Sequence, residues 1–363
     1  MSKRPRYNWY GNLSHVGLIH TEQRITSKTS PNNSVDICYV RVGKWDMRIQ
    51  IRTYAMVELA IIILNYQTYE LTIQCIKSIL ETQSGIIYRI IIVDDCSPND
   101  SIEKLICWID TQNSKNEIIL VKTDRNGGYS AALNKGIREA QKMEAEYISI
   151  INNDLIFTNN YFSILRKAAV ENQEIAIWGG SVQGKDGSWQ VAYKLKKTST
   201  AYLLSKKPLS YIFPMGKYAQ TITNDYQGII RFYGMISGCC FMFHFRLLEK
   251  IGMWDENIYL NHEEDAIAAK LYALGLQCAV VPRATLIHLG SQTIGSITPF
   301  QYYHRYISEI YVLRKYYNAS SLQLFLLKII DNIALWKNIS DKEIRKGYRK
   351  AFNEYYKTVI NDL

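Results

Sequence analysis

The amino-acid sequence predicts an α/β fold with a mostly parallel sheet, followed by a helical C-terminal tail. Short apolar runs rich in Ile and Val alternate four times with segments of helical spacing between residues 57 and 151. This alternation is typical of parallel strands joined by right-handed helical crossovers. Polar clusters follow the runs, and in such sheets ligands bind beyond the carboxyl ends of the strands.

The first half of the sheet can be assigned run by run. Its strands are apolar throughout, as expected of strands buried on both faces. Apolar residues three and four apart define the helices between them. Ser97 is expected to cap the second helix, with Pro98 in its first turn. The predicted strands are 57–64, 88–93, 118–121 and 147–151, and the predicted helices are 68–82, 98–109 and 128–143.

The second half is less regular. Residues 181–235 have weak periodicity and many Lys and Tyr residues, so a mobile loop is predicted there. Gly275 is a natural residue to follow the end of a helix. The remaining predicted elements are strands at 237–243 and 277–281, helices at 247–251 and 266–274, and a helical pattern from about residue 302.

Charge divides the 363 residues into three regions. Residues 1–55 hold nine Lys or Arg against three Asp or Glu, residues 301–363 hold eleven against six, and the net charge is +10. We predict a poorly ordered basic extension (1–55), a globular domain (56–300) and a helical basic C-terminal region (301–363). Basic ends favour an anionic partner surface, although solvated charged faces explain them equally well.

The cysteine pattern and the hydropathy of the sequence indicate the cellular compartment of the protein. Seven cysteines without a CxxC pair are typical of a reduced cytoplasmic chain. No run of about 18 apolar residues predicts a membrane span, and no signal peptide is apparent. Residues 322–336 are apolar but interrupted by charge; they could lie in a membrane interface, or pack on the domain, which is slightly favoured. A cytoplasmic protein is therefore expected, and the inner membrane surface is the anionic partner that the basic ends favour.

Polar residues follow each of the four predicted strands, where the sheet fold would bring them to one edge. Each cluster also has a structural explanation as a turn or a helix cap. The clusters are Asn65-Tyr66, Asp94-Asp95, Asn126-Gly127-Gly128 and Asn152-Asn153-Asp154.

These clusters belong to longer blocks that occur in a fixed order. Residues 57 to about 292 resemble family 2 glycosyltransferases, in the rhamnosyltransferase-like branch of bacterial surface polysaccharide synthesis. The matching blocks are AIIILNYQTYELTIQCIKSIL, IIVDDCSPNDS, RNGGYSAALNKGI, YISIINNDLIF, ISGCCFMFHFRLLEKIGMWDENIYLNHEEDAIAAKLYALG and VVPRATLIHLGS. The resemblance implies a GT-A fold, which is a Rossmann-like nucleotide-diphospho-sugar transferase fold.

The resemblance also implies a reaction and its partners. A single sugar would move with inversion from a UDP- or dTDP-sugar to a hydroxyl of a glycan or polyprenyl-linked acceptor, and dTDP-rhamnose is the donor that the resemblance suggests. A carboxylate beside the nucleobase can accept the N3–H of uracil or thymine, and a glycine-rich helix start favours phosphate. The implied nucleotide-sugar site comprises Asn65, Tyr66, Asp94, Asp95, Asn126, Gly127, Asn134 and Asn153.

A divalent metal, Mg²⁺ or Mn²⁺, is the implied cofactor, because hard cations with oxygen ligands neutralise a leaving diphosphate. Asp154 would be the main ligand, with Asn152 and His288 beside it. Asn152 stands where a strict DxD motif has its first acid. A lone histidine after a strand is otherwise often structural.

The acidic stretch before the helix at 266–274 supplies the implied base. Asp265 is the first candidate for taking the proton of the acceptor hydroxyl, and Glu264 is the second. Acids at a helix start also gain from its dipole, whatever their role. The neighbouring Trp254–Glu256 turn is expected to be structural, and His262 receives no role.

Three alternatives compete with this interpretation. A processive polysaccharide synthase would need membrane helices and a QxxRW motif, and a nicotinamide enzyme would need GxGxxG after the first strand. A noncatalytic basic protein that binds RNA or anionic lipid would explain the charge, but not the ordered acidic motifs. Nucleic acid is therefore not an expected partner.

Overall fold

Three antiparallel strands occur in the first of two units into which the chain divides, Met1–Met56 and Val57–Leu363. They pair in chain order, and β2 and β3 pair from Asn33 with Tyr54 to Val42 with Trp45. Poor order was expected in this extension. The alternation of apolar and polar residues from Trp45 to Arg52 is the sequence signal for a strand that this expectation overlooked. The strands are β1 Ile25–Lys28, β2 Asn33–Val42 and β3 Trp45–Tyr54.

This computed structural model describes residues 25–28, 33–42, 45–54, 57–112, 117–195, 198–206, 209–212, 219–290 and 299–338, with five isolated positions beyond them. Residues 1–24 of the predicted extension therefore lie outside the described residues. In the second unit, strands and helices alternate as predicted. The first seven elements are β4 Leu59–Asn65, α1 Tyr69–Thr82, β5 Tyr88–Asp94, α2 Ser101–Asp110, β6 Ile118–Lys122, α3 Tyr129–Lys142 and β7 Tyr147–Ile151.

Short elements occupy much of the stretch predicted as a loop, and helices follow the core domain as expected. The boundary at residue 300 stays a prediction. The remaining strands are β8 Leu155–Phe157, β9 Ile175–Gly184, β10 Val191–Leu195, β11 Ala219–Thr221, β12 Ile230–Phe232, β13 Gly234–Ile236, β14 Cys240–His244 and β15 Gln277–His288. The remaining helices are α4 Tyr161–Glu171, α5 Ser199–Leu204, α6 Leu209–Ile212, α7 Leu247–Ile251, α8 Glu263–Ala273, α9 Pro299–Tyr317 and α10 Ser321–Asn338.

The central sheet has nine strands, and its mostly parallel α/β architecture confirms the predicted fold class. Eight strands lie in the order β12-β15-β9-β14-β7-β4-β5-β6, and β8 pairs with β15. Strands β4 to β7 are parallel, whereas β14 runs antiparallel between β7 and β9. A small second sheet has the order β11-β10-β13.

Apolar cores cover both faces of the sheet, because successive residues of a strand point to opposite sides. In β4, Ala60 and Ile62 belong to one buried cluster, whereas Leu59, Ile61 and Ile63 belong to the other. This two-sided burial explains why the strand is apolar throughout. Among the described residues, no helix is long and apolar enough to cross a membrane.

Candidate active site

A buried hydrogen-bond chain joins the carboxyl ends of β4 and β5. Asn65 Nδ2 donates to Asp94 Oδ2 at 2.7 Å, and Ser97 Oγ donates to the same oxygen at 2.7 Å. The backbone N–H of Ser97 donates to Asp94 Oδ1 at 2.8 Å. Ser97 therefore serves the fully buried Asp94 rather than a helix start, and α2 begins at Ser101, three residues later than predicted.

The same chain continues through α1 to the loop after β7. Thr72 Oγ1 donates to Asn65 Oδ1 at 2.7 Å. Asn153 Nδ2 lies 2.9 Å from Thr72 Oγ1 and 2.8 Å from Thr68 Oγ1, and donates to both. The structure thus brings together Asn65, Asp94 and Asn153, as predicted from the fold. The two threonines were missed, although their spacing of four puts them on one helix face.

Asp95 anchors the glycine loop that follows β6. It accepts hydrogen bonds from Thr123 Oγ1 at 3.0 Å and from the backbone N–H groups of Gly127 and Gly128 at 3.2 and 3.1 Å. Burial raises the pKa of Asp95, and these hydrogen bonds oppose the increase. Asp95 therefore lies directly against the predicted phosphate-favouring loop.

Tyr259, which sequence reasoning missed, completes this loop from a distant part of the chain. Its hydroxyl donates to Asn126 Oδ1 at 2.6 Å, and its carbonyl accepts from the backbone N–H of Tyr129 at 2.8 Å. Gly128 has φ +83°, and a Cβ there would lie 2.4 Å from the Tyr259 carbonyl oxygen. Only glycine satisfies both the left-handed backbone and the close approach.

An aromatic platform continues from Tyr259 onto α9. The His304 ring lies 4.0 Å from the Tyr259 ring at an interplanar angle of 30°, and Phe300 contacts both rings. Burial lowers the pKa of His304 below its ordinary value, so the imidazole is neutral at pH 7. Tyr66 is 41% exposed, and burial, followed by repulsion from Asp95, raises the pKa of Tyr259. Aromatic faces beside a carboxylate suit a planar polar ligand.

Asn134 holds the Trp254–Glu256 turn. Its Nδ2 donates to the Trp254 carbonyl and to Glu256 Oε1, each at 2.9 Å, and its Oδ1 accepts from the Trp254 backbone N–H at 2.9 Å. Asp255 in turn accepts from Lys315, Tyr311 and Tyr316. These contacts support the structural interpretation of the turn and give Asn134 a structural contact as well.

Asp154 and His288 face each other across the β8–β15 pairing. Asp154 Oδ2 lies 3.2 Å from His288 Nε2, and His288 Nδ1 lies 3.0 Å from Gln190 Oε1. Asp154 is buried. Gln190, also missed from the sequence, orients the imidazole in the manner typical of groups behind a metal ligand. Asn152 is held nearby, since its backbone N–H donates to the Cys239 carbonyl at 2.8 Å.

The donor set at this pair fits a divalent cation completed by substrate. Among the described residues, no group of three or more His, Cys, Asp and Glu side chains could hold a metal. Mg²⁺, however, is commonly held by one or two carboxylates together with substrate phosphates. Asp154 and His288 supply one carboxylate and one imidazole, and a diphosphate would supply the remaining oxygens.

The acidic helix α8 begins at Glu263, three residues before the predicted start. The two residues before it, Asn261 and His262, both have left-handed backbones, with φ of +64° and +69°. Such strain is uncommon outside glycine and concentrates at functional sites. Glu263 is buried, and its Oε2 has no hydrogen-bond partner among the described residues. Burial, and then repulsion by Glu264, raise the pKa of Glu263 well above its ordinary value.

Glu264 and Asp265 differ in what they face. A Cβ on Gly238 would lie 1.9 Å from Glu264 Oε1, so the carboxylate rests directly on that glycine. Burial raises the pKa of the neighbouring Cys239 thiol to about 11, with Asp154 and Glu264 both contributing repulsion. Glu264 thus contacts Gly238, and the next residue, Cys239, accepts a hydrogen bond from Asn152 in the loop that carries Asp154. Asp265 Oδ2 instead lies 2.8 Å from His262 Nδ1.

The model of Glycosyl transferase family 2 matches residues 60–252, which cover β4 to α7. The chain belongs to this glycosyltransferase family. The matched range contains Asn65, Asp95, Asn126 and Asp154, whereas α8 and His288 lie beyond it.

Two solved structures are similar to this chain to different degrees. The crystal structure of GalNAc-T7 with UDP, GalNAc and Mn²⁺ is 13% identical with a TM-score of 0.53, over 85% of this chain and 58% of that one. The crystal structure of S. aureus TarS 1–349 is 11% identical with a TM-score of 0.46, over 82% of this chain and 80% of that one. The chain thus spans 58% of the length of GalNAc-T7. No curated protein sequence matches significantly. At this identity the GalNAc-T7 likeness confirms the GT-A fold alone.

Proposed function

We propose that this family 2 glycosyltransferase inverts the anomeric centre as it moves a single sugar from a UDP- or dTDP-sugar to a hydroxyl of a glycan or polyprenyl-linked acceptor. Within that class, dTDP-rhamnose is the donor that the resemblance of the sequence blocks favours. The observation that carries the proposal is that Glu264 lies against Gly238, while Asn152, in the loop that leads to the Asp154–His288 pair, donates its backbone N–H to the carbonyl of the next residue, Cys239. A donor-side cation ligand and a proton acceptor would then lie close to the same short segment.

The nucleobase half of the proposal rests on the aromatic platform and Asp95. The base would lie against Tyr66 and Tyr259, and Asp95 would accept the N3–H that uracil and thymine share and that cytosine lacks. Asp95 is the better candidate of the two aspartates, because Asp94 is completely buried within its own hydrogen bonds. The backbone N–H groups of the glycine loop at α3 would favour the diphosphate.

The metal half of the proposal rests on the carboxylate and imidazole at the end of β15. Asp154 and His288 would hold Mg²⁺ or Mn²⁺, with Asn152 as a further oxygen ligand. Such a cation, when bound, neutralises charge on the departing nucleoside diphosphate. Asp154 Oδ2 and His288 Nε2 are 3.2 Å apart, and Gln190 and the β8–β15 pairing orient the imidazole.

For the base we propose Glu264 in preference to Asp265. In an inverting transfer the acceptor oxygen bonds to the anomeric carbon as the bond from that carbon to the phosphate oxygen breaks, and the hydroxyl proton passes to a carboxylate. Glu264 rests on Gly238 beside Cys239, and no described residue forms a hydrogen bond or ion pair with its side chain. Asp265 already has His262 as a partner.

Asp154→Ala tests the proposed function. Because Asp154 would hold the cation and thereby the diphosphate, we expect donor binding in Mn²⁺ to weaken at least tenfold and nucleotide release from donor sugars to fall at least a hundredfold. Calorimetry and a nucleotide-release assay with a panel of UDP- and dTDP-sugars measure the two effects. The exposed Asp110→Ala is the matched control. Full turnover by Asp154→Ala, or by the wild type in excess chelator, contradicts the metal role. Lipid or RNA binding without any donor turnover would favour the noncatalytic alternative.

A further inference from the structure

Helix α10 carries two apolar faces, of which only one is covered. Leu324, Leu327 and Ile330 are buried in a cluster with residues of α5 and α9. A second set, spaced by three, four and seven residues, lies on one face of the helix and stays exposed. Its members are Leu322, Phe325, Leu326 and Ile329, which are 66, 45, 39 and 42% exposed. We call this set the α10 stripe.

The stripe differs from the other exposed apolar residues of the domain. Exposed apolar side chains are ordinary when they occur singly, as do Ile106 on α2 and Val170 on α4. Four of them in a continuous row are typical of a surface that binds something. The sequence repeats the same spacing at Ile333 and Trp336, still within α10.

Positive charge follows the stripe closely in the chain. Residues 342–350 contain five Lys or Arg and one acidic residue. Lys342, Lys346 and Arg349 are exposed. The run starts four residues after α10 ends at Asn338, so the intervening chain can span no more than about 14 Å. Because about 13 Å of helix separates Ile329 from Asn338, the basic run starts within about 27 Å of the end of the stripe.

We propose that the α10 stripe and the basic run 342–350 together bind the surface of a membrane that contains anionic lipid. Apolar side chains enter the boundary between head groups and acyl chains, while Lys and Arg interact with lipid phosphates. The inference deepens the proposed function, on which its biological meaning rests, because a membrane is where a polyprenyl-linked acceptor is met.

Charge favours a membrane over a second copy of the chain. A symmetric dimer formed through the stripe would place the same surface of both copies face to face. Such a dimer would bury the apolar row, but it would bring a second basic run, and no anionic surface, to Lys342 and Lys346. An anionic bilayer instead attracts every one of these charges, and it accepts an apolar row of any length.

The full-length protein tests this with sedimentation on vesicles of phosphatidylcholine, with and without phosphatidylglycerol. The triple variant Leu322→Ser/Phe325→Ser/Ile329→Ser should bind anionic vesicles at least tenfold more weakly than the wild type, because burial of apolar area is lost. The matched control Ile106→Ser/Val170→Ser makes the same kind of change at similar exposure and should bind as the wild type does. Lys342→Glu/Lys346→Glu should also lose at least tenfold, and the remaining binding should depend less on salt.

Three results would overturn the proposal. They are wild-type protein that ignores anionic vesicles, a triple variant that binds as well as its control, and light scattering that shows a wild-type dimer which the triple variant abolishes. Nucleotide release from donor sugars separates this proposal from the proposed function. A triple variant with normal turnover and weak vesicle binding supports the membrane-binding surface. A wild-type protein that binds vesicles but releases no nucleotide from any donor supports this surface and contradicts the proposed enzymatic function.

Discussion

Two pairs of adjacent acids lie at the candidate site, and their surroundings are opposite. Asp94 and Asp95 each accept three hydrogen bonds, from side chains and backbone N–H groups of the loops around β5 and β6. Glu263 and Glu264 begin α8 after two left-handed residues, and one buried oxygen of Glu263 lacks a hydrogen-bond partner among the described residues.

This difference suggests that Asp94 and Asp95 form part of a rigid framework, whereas the glutamates at the start of α8 include a group available for proton transfer. A buried carboxylate that accepts hydrogen bonds on both oxygens is held rigidly. Its removal leaves the buried donor groups without an acceptor. A buried carboxylate that is incompletely paired costs stability, as does a left-handed backbone before it, and such features concentrate at functional sites. We therefore expect the aspartate pair to act on stability and donor position, and Glu264 to act on rate.

The largest expected effect is on catalysis by the glutamate pair. Glu264→Gln keeps the shape and removes the basicity, so transfer should fall by about 10²–10⁴ while donor affinity changes little. Asp265→Asn is the matched control and should lose less than about tenfold, since its carboxylate pairs with His262. Single-turnover transfer and donor titration separate the two steps. If Asp265→Asn is the inactive variant, the order of the two acids is reversed.

The second effect is on folding, through the aspartate pair. Asp94→Asn would turn an N–H group toward the donors Asn65 and Ser97, and should lower the free energy of unfolding by about 2–4 kcal/mol. Urea denaturation measures it, with the exposed Asp100→Asn as control. A variant of wild-type stability that no longer binds donor would instead make Asp94 a ligand of the nucleotide, as the sequence resemblance implied.

The smallest effect has the opposite sign and depends on pH. The folded-state pKa of Glu263 is raised, so the folded state binds its proton more tightly than the unfolded state, and stability falls as pH rises above the unfolded pKa of about 4.3. Glu263→Gln removes this loss. The variant should be more stable than the wild type by about 1 kcal/mol at pH 8, and the difference should vanish by about pH 4. Equal stability of the variant and the wild type at both pH values would show that folding does not raise the pKa of Glu263.

The strands were predictable from the sequence where burial alone determines the residue types. Runs such as Ile61–Ile63 are apolar because the sheet is covered on both sides, and this dictates strands without knowledge of any partner. The start of α2 was not predictable in the same way. Ser97 is a good helix cap by residue type, but Asp94, three residues earlier, takes both its hydroxyl and its backbone N–H.

The site was predictable in location and less so in detail. The strand ends bring Asn65, Asp94 and Asn153 together because parallel strands share a carboxyl edge. Three acids in a row do not reveal which one faces the site, because that depends on where α8 starts and on the room left by Gly238. Partners such as Tyr259 come from more than a hundred residues away and leave no local signal.

The dependence of the glycine loop on Tyr259 also bears on how the chain folds during synthesis. Asn126 and Tyr259 are 133 residues apart in sequence, and Asn134 and Trp254 are 120 apart. Such contacts form late, because a long loop must close before they contribute. A nascent chain that has emerged only as far as β9 contains strands β4 to β7, whose ends carry the proposed nucleotide site. It still lacks Tyr259, which holds the glycine loop, and Trp254, which contacts Asn134. Donor binding should therefore arise only after residue 288, the last of the proposed metal ligands, leaves the ribosome, when the later part of the domain joins the earlier part.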